Sequence, residues 1–293
     1  MADDFGKLDQ LEITVLLEDC AGYDTGLAAQ HGLSLLIEAR AGKTGRNILF
    51  DTGQEAETLL RNMELLGKDP ENVDLIFLSH CHYDHTGGLT GFLKASGKSR
   101  LPVICHPDSH RLNLALKPAF RSIGMGPANS PGAIEAAGGE LVPLSQPLQL
   151  MAGVLTSGEI EDKVPFESAP TLSMVTCREG KMEPDRMADD IAMIFNLPAG
   201  LVVVTGCSHA GIISIIKNAI RLTGIKTVLA VVGGFHLVDA DDERVGLTVE
   251  ALGGLSSVSI YTGHCTGLKA EAKLLDQFGE RFKKLRTGMK FSF

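Results

Sequence analysis

A run of six residues near position 80 concentrates side chains that bind transition metals. It reads His80-Cys81-His82-Tyr83-Asp84-His85 and follows an apolar segment that predicts a buried strand. Because alternate side chains of an extended chain point the same way, His80 and His82 are expected to bind one ion. Asp84 and His85 then fall where the chain turns and can face a second ion. Imidazole and carboxylate together favour zinc, iron or manganese over calcium.

Two ions with open coordination positions need more ligands than this run supplies. Three further histidines stand beside glycines just after apolar segments, and these are His209, His236 and His264. In open α/β sheets, binding residues come from the C-terminal ends of strands, so all three are placed to join the site. Each could instead be an ordinary structural or surface histidine.

The elements that must position these residues alternate along the chain. Apolar, β-branched runs predict strands at 11–17, 33–38, 47–50, 73–79, 191–195, 201–205, 227–232 and 258–261. Helical spacing of apolar residues predicts helices at 54–66, 212–222 and 268–278. A second half is expected to begin near residue 150. This mixture predicts a four-layer or sandwich-like α/β fold.

Two stretches, 118–133 and 156–188, are rich in Gly, Pro and Ser and predict irregular structure. Long irregular segments in a compact domain often serve as lids or binding loops, and they can equally be plain surface insertions. If they are lids, they set which substrate the site accepts.

Composition limits the classes of protein that the chain can belong to. With 293 residues, 44% hydrophobic and 22% charged, it resembles an ordinary soluble protein. Such a length folds without a structural metal, so a metal site in it is expected to be functional. The net charge of −9 argues against a nucleic-acid partner. We expect a small-molecule, anionic substrate, and a homodimer as the common default for enzymes.

Location is predicted from what the sequence lacks. No apolar run reaches the roughly 18 residues of a membrane helix, and the acidic start has no secretory signal. The six cysteines are dispersed, and none forms a C-x-x-C pair. Reduced thiols in a reducing compartment are the expectation, which favours the cytoplasm and no membrane partner.

Several motifs resemble one known family. The segment 79–88, Ser-His-Cys-His-Tyr-Asp-His-Thr-Gly-Gly, resembles the signature of the metallo-β-lactamase superfamily, and Ile-Leu-Phe-Asp-Thr-Gly at 48–53 resembles its first motif. Four further segments, 31–34, 205–211, 233–237 and 263–267, resemble one subfamily. Its members are often labelled dihydropterin-ribofuranosyl-aminobenzene phosphate synthase, or metal-dependent hydrolases of the β-lactamase superfamily II.

The resemblance implies a fold and a ligand set. The fold is a four-layer αββα sandwich, formed by a single domain over residues 1–293, with two divalent metal ions in a cleft at one edge of the sheets. The ions would be zinc, with manganese or iron as alternatives. His80 and His82 would bind the first ion, and Asp84, His85 and His264 the second. Asp51 would be a supporting group near the metals.

The sequence departs from the superfamily pattern at the first ion. The superfamily shows Gly-His before a strand pair and Gly-Asp, the bridging aspartate, after it. Here Met-Ala-Asp-Asp at 187–190 and Gly-Cys at 206–207 occupy those places. We expect His209 to complete the first site. The alternatives are that Cys207 binds the second ion, or that Asp190 replaces the missing histidine.

The expected chemistry starts from a water held between two cations, whose pKa falls towards neutrality. Asp84 would orient the resulting hydroxide or accept its proton. His236 would hold an anionic substrate group or protonate the leaving group. The predicted function is a metal-dependent hydrolase of a small ester, lactone or phosphoester.

Other functions follow from the resemblance. The alternative to hydrolysis is a pterin-pyrophosphate-using synthase that forms a C–N bond, in which the metal would activate a pyrophosphate leaving group. A di-iron oxidoreductase ranks lower, because no glycine loop that could cradle a flavin phosphate appears. A binding module with an idle metal site is the non-enzymatic possibility.

Overall fold

The computed structural model describes residues 5–168, 174–255 and 258–293. The strands of the first half are β1 (Gln10–Leu17), β2 (Ser34–Ala41), β3 (Thr44–Phe50), β4 (Leu75–Phe77), β5 (Leu101–Cys105), β6 (Asn113–Ala115), β7 (Arg121–Ser122) and β8 (Gly139–Pro143). Those of the second half are β9 (Gln149–Met151), β10 (Val154–Thr156), β11 (Met174–Arg178), β12 (Lys181–Pro184), β13 (Met193–Leu197), β14 (Gly200–Val204), β15 (Val228–Gly234), β16 (Ser259–Gly263), β17 (Phe282–Lys284) and β18 (Lys290–Ser292).

The helices are α1 (Ala56–Leu65), α2 (Tyr83–Thr86), α3 (Leu89–Ser96), α4 (Pro131–Ala136), α5 (Ile212–Thr223), α6 (Asp242–Gly253) and α7 (Leu268–Phe278). Short 3₁₀ turns join several elements, and one of them, His264–Thr266, directly follows β16. The predicted helices at 54–66, 212–222 and 268–278 are confirmed as α1, α5 and α7. None of the helices in the described part of the chain has the length and apolarity that crossing a bilayer requires.

Two seven-stranded sheets form the centre of the molecule. The first has the order β18-β1-β2-β3-β4-β5-β8, and the second has the order β17-β16-β15-β14-β13-β10-β9. Alternating residues of both sheets meet in a buried core, with Ile13 and Val15 from β1 and Val202 and Val204 from β14. Burying apolar side chains between two sheets holds them face to face.

Helices cover the outer faces of both sheets. On the first sheet, Leu59 of α1 and Phe92 of α3 pack against the outward residues of β3 and β4. On the second sheet, Ile216 of α5 and Leu274 of α7 pack against Val231 of β15. Helix, sheet, sheet and helix therefore form four layers, and the predicted αββα sandwich is confirmed.

A third, four-stranded sheet corrects one expectation. Its order is β12-β11-β6-β7, so part of the stretch 156–188 is a hairpin and not irregular. The hairpin turns at Glu179 and Gly180, whose φ angles of 52° and 75° are both positive. Two positive φ angles in a two-residue turn match the twist of paired strands. Residues 169–173 of that stretch lie outside the described residues.

Strand polarity brings the predicted site residues to one edge. In the first sheet, β3 and β4 are parallel with Phe50 opposite Phe77, so Asp51 and Ser79 emerge side by side. In the second sheet, β14, β15 and β16 are parallel, and Gly234 lies opposite Gly263. Their C-terminal ends lead into the segments that carry Cys207, His236 and His264, which gather at one edge.

Candidate metal centre

The sequence predicted that the histidine run is extended and continues the preceding strand. In the structure the strand ends before the run begins. β4 ends at Phe77, and His80 and His82 lie in a bend before the one-turn helix α2. The two imidazole rings are nevertheless close, with centroids 4.6 Å apart. The local reason for their convergence is therefore the turn into α2, and not the alternation of an extended chain.

One donor group combines this run with the segment after β14. His80, Cys207 and His209 offer ligand atoms that lie within 4.8 Å of one another. The ring of His82 stands beside them, 4.7 Å from that of His209 between centroids. Two imidazoles and one thiol thus offer ligand atoms to a common point, with the His82 ring beside them, although His209 is more than a hundred residues from His80 in sequence.

A second donor group adjoins the first. Asp84, His85, Cys207 and His264 also offer ligand atoms within 4.8 Å of one another. Nε2 of His85 lies 3.1 Å from the Cys207 Sγ and 3.2 Å from Nε2 of His264. Oδ2 of Asp84 lies 3.3 Å from the same His264 nitrogen. Cys207 belongs to both groups and therefore stands between them.

Asp51 orients candidate ligands of both groups through hydrogen bonds. Its Oδ1 accepts the backbone N–H of Ser79 and its Oδ2 accepts the Ser79 hydroxyl, both at 2.7 Å. The same Oδ2 lies 2.7 Å from Nδ1 of His85, and the Ser79 hydroxyl lies 2.9 Å from Nδ1 of His80. With their Nδ1 atoms engaged, both rings present Nε2 to the centre. Gly206 packs on this array, because a Cβ there would lie 2.1 Å from the Ser79 oxygen.

Asn113 and Asp19 hold two other rings in the same manner. Oδ1 of Asn113 lies 3.2 Å from Nε2 of His82, which leaves Nδ1 of that ring for the centre. Asp19 Oδ1 lies 2.7 Å from Nδ1 of His264, and its Oδ2 lies 2.9 Å from Nδ1 of His31. Partners of this kind fix the tautomer and the direction of a metal-binding imidazole.

A buried ion-pair network contacts Asn113. The Arg111 guanidinium contacts Asp185 at 2.7 Å and Asp189 at 2.8 Å. Asp185 in turn accepts a hydrogen bond of 2.6 Å from the amide of Asn113. Asp189 accepts the backbone N–H of Cys81 at 2.7 Å, so it anchors the histidine run directly.

The pKa values of the imidazoles shift in opposite directions in the two groups. Burial lowers the pKa of His82 to about 4. Burial, followed by repulsion from neighbouring imidazoles, also lowers the pKa values of His80 and His209. Neutral imidazoles carry the lone pair that a metal needs. For His85, burial acts to lower the pKa, but the carboxylates of Asp84 and Asp51 outweigh it and raise the pKa.

The second group is also surrounded by carboxylates. Asp84 is buried, which acts to raise its pKa, but His85 and His264 outweigh burial and lower it. Glu18, whose side chain accepts the backbone N–H of His264, has its pKa raised to about 7 by burial. The ionised carboxylates of Asp84 and Asp19 contact His264, and their negative charge favours a cation at this place.

These donor groups fit the divalent metals that the fold family implies. Among the described residues, Nε2 of His80 and both ring nitrogens of His209 are buried without a hydrogen-bond partner. Buried polar atoms are normally paired, so unpaired ones mark a missing partner. For tetrahedral zinc with Zn–N of ~2.05 Å, neighbouring ligand atoms lie about 3.3 Å apart. The nitrogen–nitrogen distance of 3.2 Å and the nitrogen–oxygen distance of 3.3 Å in the second group agree with that spacing.

Of two further residues named from the sequence, Asp190 lies outside the donor groups of the described residues and His236 lies in the cleft. Asp190 belongs to none of the donor groups within the described residues, and its Oδ2 accepts the backbone N–H of Ala210. His236 lies beside His209, with ring centroids 4.1 Å apart, and lines the cleft. His236 also forms a third donor group with Cys207 and Cys265.

The donor groups form the floor of an open cleft of about 330 Å³. The described residues that line it come from both large sheets and the third sheet, and they include Asp19, His31, Tyr83, Lys117, Arg121, Met174 and Asp239. Backbone strain is concentrated here. Asp51, Ser208, His236 and His264 have positive φ angles of 57°, 58°, 44° and 49°, a conformation that non-glycine residues rarely adopt.

Sequence reasoning missed Asp19, His31, Asn113 and Cys265 as members of the site. A signal existed for His31, which stands in a motif shared with the subfamily, and for Cys265, which directly follows His264. Asp19 and Asn113 carry no pattern of their own in the sequence. Only the fold brings them to the histidines.

Together, an αββα sandwich and two metal-donor groups at one sheet edge define the metallo-β-lactamase fold class. A model described as the metallo-β-lactamase superfamily matches residues 28–168. The chain is 42% identical, over 100% of both chains, to a 7,8-dihydropterin-6-methyl-4-(β-D-ribofuranosyl)-aminobenzene-5′-phosphate synthase of Methanocaldococcus jannaschii. It is 34% identical to an uncharacterized protein of the same organism, over 84% of this chain and 88% of that protein.

Solved structures agree with these relatives. A metal-dependent hydrolase of the β-lactamase superfamily matches with a TM-score of 0.78 and 25% identity, over 96% of this chain and 98% of that one. A diphosphatase of the PhnP family matches in fold alone, with a TM-score of 0.51 and 13% identity over 98% of both chains. The chain belongs to the metallo-β-lactamase superfamily and is an enzyme of that superfamily.

Proposed function

We propose that the chain forms the C–N bond between a dihydropterin-6-ylmethyl diphosphate and 4-(β-D-ribofuranosyl)aminobenzene 5′-phosphate. The observation that carries this proposal is the 42% identity with the synthase over the full length of both chains. The proposal takes the alternative from the sequence analysis as the main function. Hydrolysis of a small ester, lactone or phosphoester, favoured there, becomes the second candidate.

The reaction balances as a substitution at the pterin methylene. The arylamine nitrogen attacks the methylene carbon and forms the C–N bond. The bond from that carbon to the diphosphate oxygen breaks, and the diphosphate leaves with the electron pair. The nitrogen then loses one proton to a base. The enzyme must therefore stabilise a polyanionic leaving group, align the amine and accept a proton.

We assign the two donor groups to two ions, zinc in the first instance. His80, His82 and His209 would hold one ion, Asp84, His85 and His264 the other, and the Cys207 thiolate would lie between them. When bound, such cations supply Lewis-acid stabilisation of the charge that develops on a departing diphosphate. Thiolate, imidazole and carboxylate donors suit zinc, with iron and manganese as alternatives. Six free cysteines, two of them at the site, fit the cytoplasm.

Asp84 and His236 would act on the protons of the reaction. His236 lines the cleft, and its Nδ1 is buried without a hydrogen-bond partner among the described residues. A neutral imidazole there can take the proton that the arylamine nitrogen loses. Asp84 also lines the cleft, and its carboxylate can orient the attacking amine by accepting its N–H.

The test is turnover with defined substrates. Zinc-loaded protein is mixed with the dihydropterin diphosphate and the arylamine phosphate, and the condensed product is followed by mass and diphosphate by a coupled assay. We expect one diphosphate for each condensed product. His236→Gln should lower kcat by about 100-fold, as for loss of a general base, while the zinc content stays the same. Absence of condensed product with the zinc-loaded protein would refute the synthase proposal.

Hydrolysis is the second candidate, supported by the structural similarity to a metal-dependent hydrolase. The same assay separates the two functions when the arylamine is omitted. A synthase should release little diphosphate without its amine, whereas a hydrolase should release it at an unchanged rate. A panel of p-nitrophenyl phosphates and lactones then tests the wider hydrolase class, with metal-stripped protein as the blank.

A further inference from the structure

The wall of the cleft nearest Tyr83 differs in chemistry from its floor. Ala115 of β6, Ile123 just after β7, and Met174 of β11 pack together there, and Tyr83 packs against them. All four line the cleft. We call these four residues the apolar wall. The apolar surface that these side chains leave on the cleft suits an aromatic ring, because contact with the ring removes that surface from water.

Two cations stand at the rim of the apolar wall. Both line the cleft: Lys117 lies on the segment that joins β6 to β7, and Arg121 is the first residue of β7. The Arg121 guanidinium carbon lies 5.5 Å from the centre of the Tyr83 ring, and its Nη1 donates to the Tyr83 hydroxyl at 3.5 Å. Tyr83 stands between the predicted ligands His82 and Asp84, so this contact ties Arg121 to the segment that carries them.

Lys117 and Arg121 form no ion pair with a carboxylate in the described part of the chain. Within residues 5–168, 174–255 and 258–293, no carboxylate lies within 4.0 Å of the charged nitrogens of Lys117 or Arg121. Of the described carboxylates that line the cleft, Asp19 and Asp84 contact histidines, and Asp239 lies farther than 4.0 Å from the charged nitrogens of both cations. In a chain with net charge −9, two unpaired cations beside an active site are suited to an anion that arrives with the substrate.

We infer that the apolar wall, Lys117 and Arg121 bind the arylamine substrate, with the ring on the wall and the 5′-phosphate on the two cations. The inference rests on the proposed function, because that function supplies an aromatic amine with a phosphate. Guanidinium and ammonium groups bind phosphate through charge-assisted hydrogen bonds. The amine then points towards the cleft floor, and the diphosphate of the other substrate is left to the metal-donor groups.

The test removes one charge at a time. The variants are Lys117→Gln and Arg121→Gln, and Lys226→Gln is the matched control because Lys226 is exposed just before β15, at the opposite edge of that sheet. We expect each cleft variant to raise KM for the phosphorylated arylamine about tenfold, the value of one charge-assisted hydrogen bond. KM for the arylamine without its phosphate, and for the dihydropterin diphosphate, should stay within about twofold.

Several outcomes would overturn the inference. Unchanged KM values in both cleft variants would do so, as would equal increases for the arylamine with and without phosphate. A rise in KM for the dihydropterin diphosphate alone would assign the two cations to the diphosphate instead. The Lys226→Gln control should leave all of these constants unchanged.

Equilibrium binding separates this inference from the synthase proposal. Calorimetry with the phosphorylated and the phosphate-free arylamine is run on zinc-loaded and on chelator-treated wild-type protein and both variants. Even if no condensation occurs, the wild type should bind the phosphorylated form about a hundredfold more tightly, and each variant should lose about tenfold of this preference. If the preference vanishes when metal is removed, the phosphate binds at the metals and the inference is wrong.

Discussion

The thiol Sγ of Cys207 lies 3.1 Å from Nε2 of His85 and belongs to both donor groups of the centre. It follows Gly206, where the superfamily pattern places a bridging aspartate. A thiolate is a softer ligand than a carboxylate and favours zinc over manganese. If Cys207 takes the place of that aspartate as a ligand, we expect the centre to prefer zinc more strongly than a centre bridged by a carboxylate.

Replacing Cys207 should remove a thiolate from the centre. In cobalt-substituted protein we expect a near-ultraviolet band from sulfur-to-cobalt charge transfer, lost in Cys207→Ala and in Cys207→Asp. Cys207→Asp should retain two ions, because a carboxylate can bridge them, whereas Cys207→Ala should bind the second ion at least about tenfold more weakly. Cys177→Ser, at an exposed cysteine, is the control. A band that is unchanged in Cys207→Ala but lost in Cys265→Ala would assign the thiolate ligand to Cys265, which shares a donor group with Cys207 and His236, and not to Cys207.

His209 and Asp190 should differ in their effect on metal content. The structure brings His209 beside His80 and Cys207, whereas Asp190 accepts a hydrogen bond from Ala210 outside these groups. His209→Ala should reduce zinc from about two ions per chain to about one, and Asp190→Asn should leave it unchanged. Metal analysis after gel filtration measures both. Loss of metal from the Asp190 variant alone would exchange the roles of the two residues.

Asp51 should matter for metal affinity although it contacts no ion position itself. Asp51→Asn keeps the shape of the side chain but replaces one acceptor oxygen by an amide donor. That change disrupts the contacts with Ser79 and His85. Loss of such supporting groups typically weakens metal binding about 10- to 100-fold, and we expect that range in competition with a chelating dye.

A matched control for Asp51 is available on the same sheet. Asp74 accepts the backbone N–H of Asn47 at 2.7 Å, far from the histidines. Asp74→Asn should leave zinc affinity unchanged. Equal losses in both variants would mean that the effect of Asp51 comes from general destabilisation of the sheet.

Asp190 should also give the metal-free protein a distinct pH dependence. Burial raises the pKa of Asp190 from 3.8 to about 7. A folded-state pKa above the unfolded one contributes stability that is complete below pH 4 and lost as pH rises through 7. Asp190→Asn lacks this titration. Between pH 4 and pH 8 the unfolding free energy of the variant should therefore rise, relative to that of the wild type, by on the order of 3 kcal/mol.

Urea unfolding in the presence of a chelator measures this difference. Glu135→Gln, at an exposed position on α4, is the control and should follow the wild type at every pH. A constant difference between Asp190→Asn and the wild type over this pH range would mean that the carboxyl group titrates with its ordinary pKa.

The local sequence patterns of the chain were enough to predict several of its main strands and helices. Strands β1, β3 and β14 and helices α1, α5 and α7 lie where apolar periodicity predicted them. Their prediction succeeded because burial of one face requires the same spacing in any fold. The hairpin of β11 and β12 was missed, because its short strands depend on pairing with β6, which is some sixty residues away in sequence.

The sequence by itself determined the donor chemistry: imidazoles, a carboxylate and a thiol next to glycines at strand ends, with a spacing shared with one superfamily. Only the tertiary structure decided that Cys207 stands between the two groups, that Asp190 stands outside them, and that Asp19 and Asn113 orient two of the rings. The physical reason is that ligand geometry depends on contacts between chain segments up to about 250 residues apart, such as Asp19 and His264. No local pattern encodes such contacts; they arise when the two sheets pack and bring their edges together.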